Sequence, residues 1–279
     1  MINLLSGEFY KLQKSKSIYV CSIVMIAFVL FFYGSLVLVD KIQQGEVEND
    51  SMGVVVSGEA MEETEESATS IFEQIGILDA LQQMFGAFSG IFTAIFAAIF
   101  VYGEYGNGAI KNVTGKGYGR WKIFSSKYLM TIIASILIMI VMIITTLLFG
   151  VVFKGTEELN GEFCRNLCSY TAIELLLGAA FVGLVITINE FCRSLGAGIA
   201  ISICIICFSD LITMGFDLVL KYFHFDFKVS DYCLLSLMAN CPKTNMDENF
   251  AVRTIVTAVL WIVFTFGIGA LHFQKADIK

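Results

Sequence analysis

Hydrophobic positions along the chain gather into six long blocks, at about 18–39, 80–102, 128–153, 166–189, 194–219 and 254–274, parted by stretches rich in polar residues. Each block reaches the roughly 20 residues that an α-helix needs to cross a hydrocarbon layer about 30 Å thick. Apolar runs of that length lack the period-two alternation of a half-buried strand, so the pattern predicts an all-α integral membrane protein with six transmembrane helices. Ile18 to Val39 carries no charge, is too long for a usual secretory h-region and is followed by no small-residue cleavage site, so it is expected to stay as the first span. Ahead of it, Ile2, Leu5, Phe9 and Leu12 recur at helical spacing beside Lys11, Lys14 and Lys16, which predicts an N-terminal interfacial helix along the inner membrane surface. Within 231–240, Tyr232 to Ala239 is apolar but too short to cross, and predicts a re-entrant or partly inserted outer helix.

Composition agrees: 57% of the 279 residues are hydrophobic, 15% are charged, there is one proline, and the mean hydropathy is +0.76. Such values exclude an ordinary soluble domain. The net charge of -7 is concentrated in one segment, 40–79, which is expected to be an acidic extracellular loop. There Glu62, Glu63, Glu65 and Glu66 cluster, either as part of a flexible solvated loop or as a collector that recruits cationic substrates. With both termini inside, 11 of the 18 basic residues fall on the inner side and 7 on the outer, the bias expected for cytoplasmic loops. No nucleic-acid partner is expected.

Within the blocks a few positions break the apolar pattern. Glu174 in the fourth and Asp210 in the fifth are carboxylates in membrane-spanning sequence, where ionisable groups face a wet cavity, a partner or another helix, so both are candidates for a substrate path. A structural hydrogen bond or a reach to the interface is the alternative for Glu174; Asp210 is expected to be protonated, paired with another chain or lining a wet cleft. Gly86 and Gly90, one turn apart, allow close helix packing, within the subunit or at a dimer seam. The eight cysteines are scattered; Cys204 and Cys207 have C-x-x-C spacing without a second pair or a nearby His, so no metal site is expected. No catalytic residues are expected either, since neither H-E-x-x-H nor G-x-S-x-G occurs.

The longest basic interruption is Gly103 to Lys127, with five Lys or Arg against the single Glu104. It follows the second span and so faces the cytoplasm, with Tyr105 and Trp121 suited to the membrane boundary and Glu104 set to pair with Lys111 or Arg120 across the Gly106–Gly108 turn. Gly108 to Lys116 is no phosphate loop: six residues separate the glycines, and Gly117 stands where Ser or Thr is needed for magnesium. The series Glu104, Tyr105, Gly108, Lys111, Gly115, Gly117, Arg120, Ser126, Lys127 resembles the loop after the second span of ABC-2 type ABC transporter permeases, with Ala109 and Gly119 replacing the family's usual Thr and Ser. The resemblance extends in span order over nearly the whole chain, and is nearest to lantibiotic-immunity, bacitracin-resistance and peptide exporter permeases.

That resemblance implies one permease domain over 1–279, with loop 103–127 as a cytoplasmic coupling loop whose Glu104, Tyr105, Gly108, Lys111, Arg120 and Lys127 transmit movement from a separate ATPase dimer. It implies no cofactor on this chain, ATP and magnesium being held by the ATPase; a second permease subunit, identical or not; and a bacterial plasma-membrane location with both termini cytoplasmic. The function implied is ATP-driven export of amphipathic or antimicrobial peptides, for self-immunity or resistance. Another hydrophobic or lipid-like substrate, a passive channel or scaffold, and an intramembrane enzyme are the alternatives.

Overall fold

The structure, a computed structural model, describes residues 2–50, 76–106, 115, 118–155, 160–223, 227–244 and 246–275. The long helices run back and forth: α1 Ile2–Lys14, α2 Lys16–Asp50, α3 Ile77–Gln83, a π-helical turn Met84–Ser89, α4 Gly90–Gly106, α5 Arg120–Lys154, α6 Gly161–Cys192, α7 Leu195–Tyr222, a 3-10 turn Val229–Asp231, α8 Leu234–Ala239 and α9 Glu248–Lys275. Five of them are long and apolar enough to span a membrane, and α3 with α4, bent by 42° at their break, makes either a sixth, broken span or a re-entrant loop. Among the described residues there is no strand. The chain is therefore an all-α, multi-pass membrane protein.

Several helices outrun their apolar blocks. Helix α2 continues to Asp50, past the last apolar residue of its block, Val39, where Lys, Gln and Glu are themselves good helix formers. Helix α5 begins at Arg120, so the second part of the basic stretch is not loop but its first two turns. The second span is not one straight helix, because the π-turn holds Gly86 and ends beside Gly90, and such turns are a recognised cause of kinks.

Helix α6 is the centre: most of its apolar stretch is buried, whereas those of α2 and α7 mostly are not. Small residues bring its neighbours close: Gly183 lies against the Tyr128 hydroxyl and Thr265, and across the same seam Gly269 lies against Phe124. The seam is also bonded. Tyr128 and Thr265 hydroxyls lie 2.9 Å apart, and Thr187 Oγ1 donates to the Thr265 carbonyl at 3.0 Å. In an apolar solvent, packing and such bonds hold helices together because burial from water adds little.

Helix α2 packs through Cys21, Met25, Val29 and Tyr33, a stripe with a four-residue spacing, and Tyr33 donates to the Thr146 carbonyl of α5 at 3.1 Å. Helix α1 buries Leu4, Glu8 and Leu12 on one face while Phe9 and Tyr10 are exposed. Its buried stripe is thus rotated from Ile2, Leu5, Phe9 and Leu12, because Glu8 turns inward and is paired with Lys11 at 2.8 Å.

Candidate functional site

Helix α7 inverts the usual soluble pattern. Its buried positions are Gly198, Ser202, Ser209 and Thr213, while Phe208, Leu211, Met214, Phe216 and Leu218 face outward. The narrow, small-residue edge packs on the bundle and the bulky side chains suit lipid. Asp210, next to the buried Ser209, sits at the margin of this edge and is exposed.

Asp210, Met214, Asp217 and Lys221 follow one another at helical spacing on a single face of α7. They form one wall of a cavity of about 690 Å³, whose other wall includes Phe227, Lys228, Ser236 and Asn240. An aspartate in the middle of a span costs about 2.5–3.5 kcal/mol on insertion scales, and a polar cavity reduces that cost by admitting water. Asp217 holds the backbone in place, since its Oδ1 accepts the Val229 amide at 2.5 Å and so folds the segment after α7 back over the helix. Asp210 makes no ion pair among the described residues. One end of this cavity thus offers a carboxylate to a cationic group between apolar walls.

The segment 227–244 caps this end of the bundle. Leu234, Leu237 and Met238 of α8 are buried, Ser236 and Thr213 hydroxyls approach to 3.3 Å, and Gln82 donates to the carbonyls of Ala239 (3.2 Å) and Cys241 (3.3 Å). Lys243 pairs with Asp79, whose other carboxylate oxygen accepts the Gly76 amide at 2.9 Å. The cap is therefore tied to both α7 and the bent span. A methyl group on Gly86 would meet Ala239 at 3.8 Å and one on Gly90 would meet Ile206 and Phe181 at 3.6 Å, ordinary contact distances, so both glycines face helices of this same subunit without an approach that only glycine allows.

Glu174 has a different setting. It is fully enclosed, with the Tyr170 hydroxyl and the Cys241 thiol as polar neighbours, yet neither carboxyl oxygen achieves hydrogen-bond geometry. Tyr170 stands one turn before it on α6 and meets Phe85 edge-on, with ring centroids 6.1 Å apart. Burial, and then the adjacent Glu174 carboxyl, push the Cys241 thiol up to about 12. Glu174 and Asp210 are thus not brought together: one is sealed under the cap and the other opens onto the cavity.

At the opposite end of the bundle, helix termini converge. Lys127 of α5 and Glu190 of α6 form an ion pair at 3.6 Å with side chains only 2% and 1% exposed. Arg120 Nη1 donates to the Gln274 carbonyl near the end of α9 at 2.8 Å, and Phe191 packs against His272 with ring centroids 4.0 Å apart. The α6–α7 turn is tight because Arg193 adopts a left-handed conformation, φ 49°, and Gly198 lies against the Asn189 side chain. The ends of α5, α6, α7 and α9 are thereby locked together beside the basic stretch.

Of the predicted coupling residues, Arg120 and Lys127 are in this cluster; Glu104 and Tyr105 lie on α4 with side chains outside the described residues, and Gly108 and Lys111 lie outside them altogether. The acidic Glu62, Glu63, Glu65 and Glu66 also lie outside them. Lys127 is a buried ion-pair member rather than an exposed loop cation, because α5 starts seven residues before it. Sequence reasoning missed Glu190 as its partner; the available signal was a Lys and a Glu at the same ends of successive spans.

A family model described as ABC-2 family transporter protein matches residues 4–209, most of the chain. No curated protein matches it significantly.

Proposed function

The chain belongs to the ABC-2 family of transporter proteins, and from that premise we propose that it is the permease of an exporter of cationic amphipathic molecules, antimicrobial peptides foremost. Family membership makes it a membrane permease subunit of an ABC transporter, associated with an ABC ATPase. The observation that carries the finer proposal is Asp210, a carboxylate exposed at the membrane-facing cavity between α7 and the cap and joined there by apolar Met214, Leu218 and Phe227. A peptide bearing Lys or Arg beside bulky apolar side chains complements both features.

In this proposal, two permeases act with two ATPases, which hold ATP and magnesium. Both termini and the stretch 103–127 face the cytoplasm of a bacterial cell. Glu104, Tyr105, Gly108, Lys111 and Arg120 meet the ATPase, and Lys127 anchors the start of α5 to α6 through Glu190. Closure of the ATPases displaces this end of the bundle and, through the continuous helices α5, α6 and α7, the capped end. Glu62, Glu63, Glu65 and Glu66 raise the local concentration of cationic substrate outside, an effect screened over about 8 Å at physiological salt. Glu174 supports the cap from beneath.

The test is substrate-stimulated ATP hydrolysis by the reconstituted complex. A cationic amphipathic peptide stimulates the wild type, and Asp210→Asn raises the half-stimulating concentration about tenfold, the loss of roughly 1.4 kcal/mol, without changing basal hydrolysis. Equal stimulation of wild type and variant removes Asp210 from the path. Stimulation by an uncharged amphiphile as strong as by the cationic peptide rejects the cationic substrate class.

A further inference from the structure

A second cavity, of about 700 Å³, lies between α7 and α9, where Phe216, Val256, Leu260 and Trp261 make its walls nearly all apolar. Among the described residues its one charged lining group is Arg253. That arginine is incompletely satisfied. Nη1 donates to Asp231 at 3.2 Å, longer than the roughly 2.7–2.9 Å of a good charge-assisted bond, and Nε is buried without a hydrogen-bond acceptor. A guanidinium has five N–H donors, so a second oxyanion can be accepted without displacing every existing contact.

Position along α9 narrows the class of oxyanion. If Lys275 marks one boundary of the hydrocarbon layer, Arg253 lies 22 residues up α9, about 33 Å away, at the opposite boundary of a layer about 30 Å thick. Trp261 lies about 12 Å deeper, at acyl-chain level. A fixed cation at the headgroup plane above an apolar cleft is complementary to a molecule with a phosphate at one end and a hydrocarbon chain at the other.

We infer that this cleft is a binding site for one phospholipid, whose acyl chain lies between Phe216, Leu260 and Trp261 and whose phosphodiester oxygen accepts from the partly exposed guanidinium end of Arg253. The inference does not depend on the exported substrate or on the ATPase. It assigns the two sides of the 227–232 segment to different ligands: the Asp210 side to the exported molecule of the proposed function, the Arg253 side to a lipid phosphate. Asp231 competes with the phosphate for the guanidinium.

The test uses the full chain, purified in mild detergent and exchanged with either dioleoylphosphatidylglycerol or dioleoylglycerol, which has the same chains without the phosphate. Native mass spectrometry counts the lipid retained. One phosphatidylglycerol per chain is expected, held at least about tenfold more tightly than the diacylglycerol. Arg253→Gln removes that preference, Leu260→Trp fills the cleft and lowers retention of both lipids, and Asp231→Asn leaves phosphatidylglycerol retention unchanged or raises it. The inference is overturned if both lipids bind alike, or if Asp231→Asn loses lipid as fully as Arg253→Gln, which would make the ion pair a purely structural element. It is overturned equally if a second copy of the chain covers the cleft and no lipid is retained.

Discussion

The Lys127–Glu190 pair gives the sharpest quantitative expectation. Two unit charges 3.6 Å apart interact by about 4.6 kcal/mol at an effective dielectric constant of about 20, and side chains 2% and 1% exposed leave little room for screening by solvent. Removing one partner of a buried pair typically costs about 3–5 kcal/mol, since the other charge stays desolvated. Lys127→Met or Glu190→Gln is therefore expected to destabilise the chain by about 3–5 kcal/mol, which at roughly 2–4 °C per kcal/mol lowers the unfolding midpoint by about 6–20 °C. The assay is thermal unfolding of the detergent-solubilised chain, followed by tryptophan fluorescence. The double variant Lys127→Met with Glu190→Leu, which replaces both charges by apolar groups of similar size, should recover most of the loss or exceed the wild type. Single variants within about 2 °C of wild type, or a double variant no better than the worse single one, would refute the claim that this buried pair is a coupled contributor to stability.

Further expectations follow from close approaches and from the cap. Gly183→Ala puts a methyl group into the Tyr128 hydroxyl and Thr265 and should cost about 1–3 kcal/mol, whereas at Gly178 the obstacle is the flexible end of Met139 and the cost should stay under about 1.5 kcal/mol; the same unfolding assay compares them. Cys241 should resist maleimide at pH 8 while exposed Cys164 and Cys168 react, as mass mapping of labelled protein would read out. Because the folded state holds the Cys241 proton more tightly than the unfolded chain, its contribution to stability is complete below about pH 9 and is lost as pH rises towards about 12. Lys243→Ala should loosen the cap over the bent span by about 1 kcal/mol or less, since the pair with Asp79 is partly exposed; faster proteolysis within 227–244 would register it, and unchanged proteolysis would count against the tie.

Much of this architecture is legible in the sequence because the bilayer imposes one requirement, length of apolar helix, that needs no tertiary information. For that reason five of the six blocks are found as single long apolar helices and the other as a bent helix pair. The bend at 84–89 is not legible: it holds no proline, and the Gly86–Gly90 spacing is equally compatible with a straight, close-packed helix. Helix ends are misplaced for a related reason. Polarity marks where the hydrocarbon ends, while backbone hydrogen bonding carries α2 to Asp50 and starts α5 at Arg120.

At the candidate sites, single residues are legible and their partners are not. Glu174 and Asp210 announce themselves as charges in apolar surroundings, but only tertiary structure separates the sealed one from the one lining a cavity. Tyr170 stands one helical turn from Glu174 and is within reach of periodicity; Cys241, 67 positions away in a cap folded over α6, carries no local signal. Lys127 resembles one more loop cation in the sequence because Glu190 neutralises it from a different helix.

The most direct test of the central claim is transport itself. Inside-out vesicles containing this permease and its ATPase should accumulate a fluorescent cationic amphipathic peptide only with hydrolysable ATP, and Asp210→Asn vesicles should accumulate it at least about tenfold less well at limiting peptide. Accumulation that persists without ATP, or without the ATPase, would contradict an ATP-driven exporter and identify a passive pathway instead.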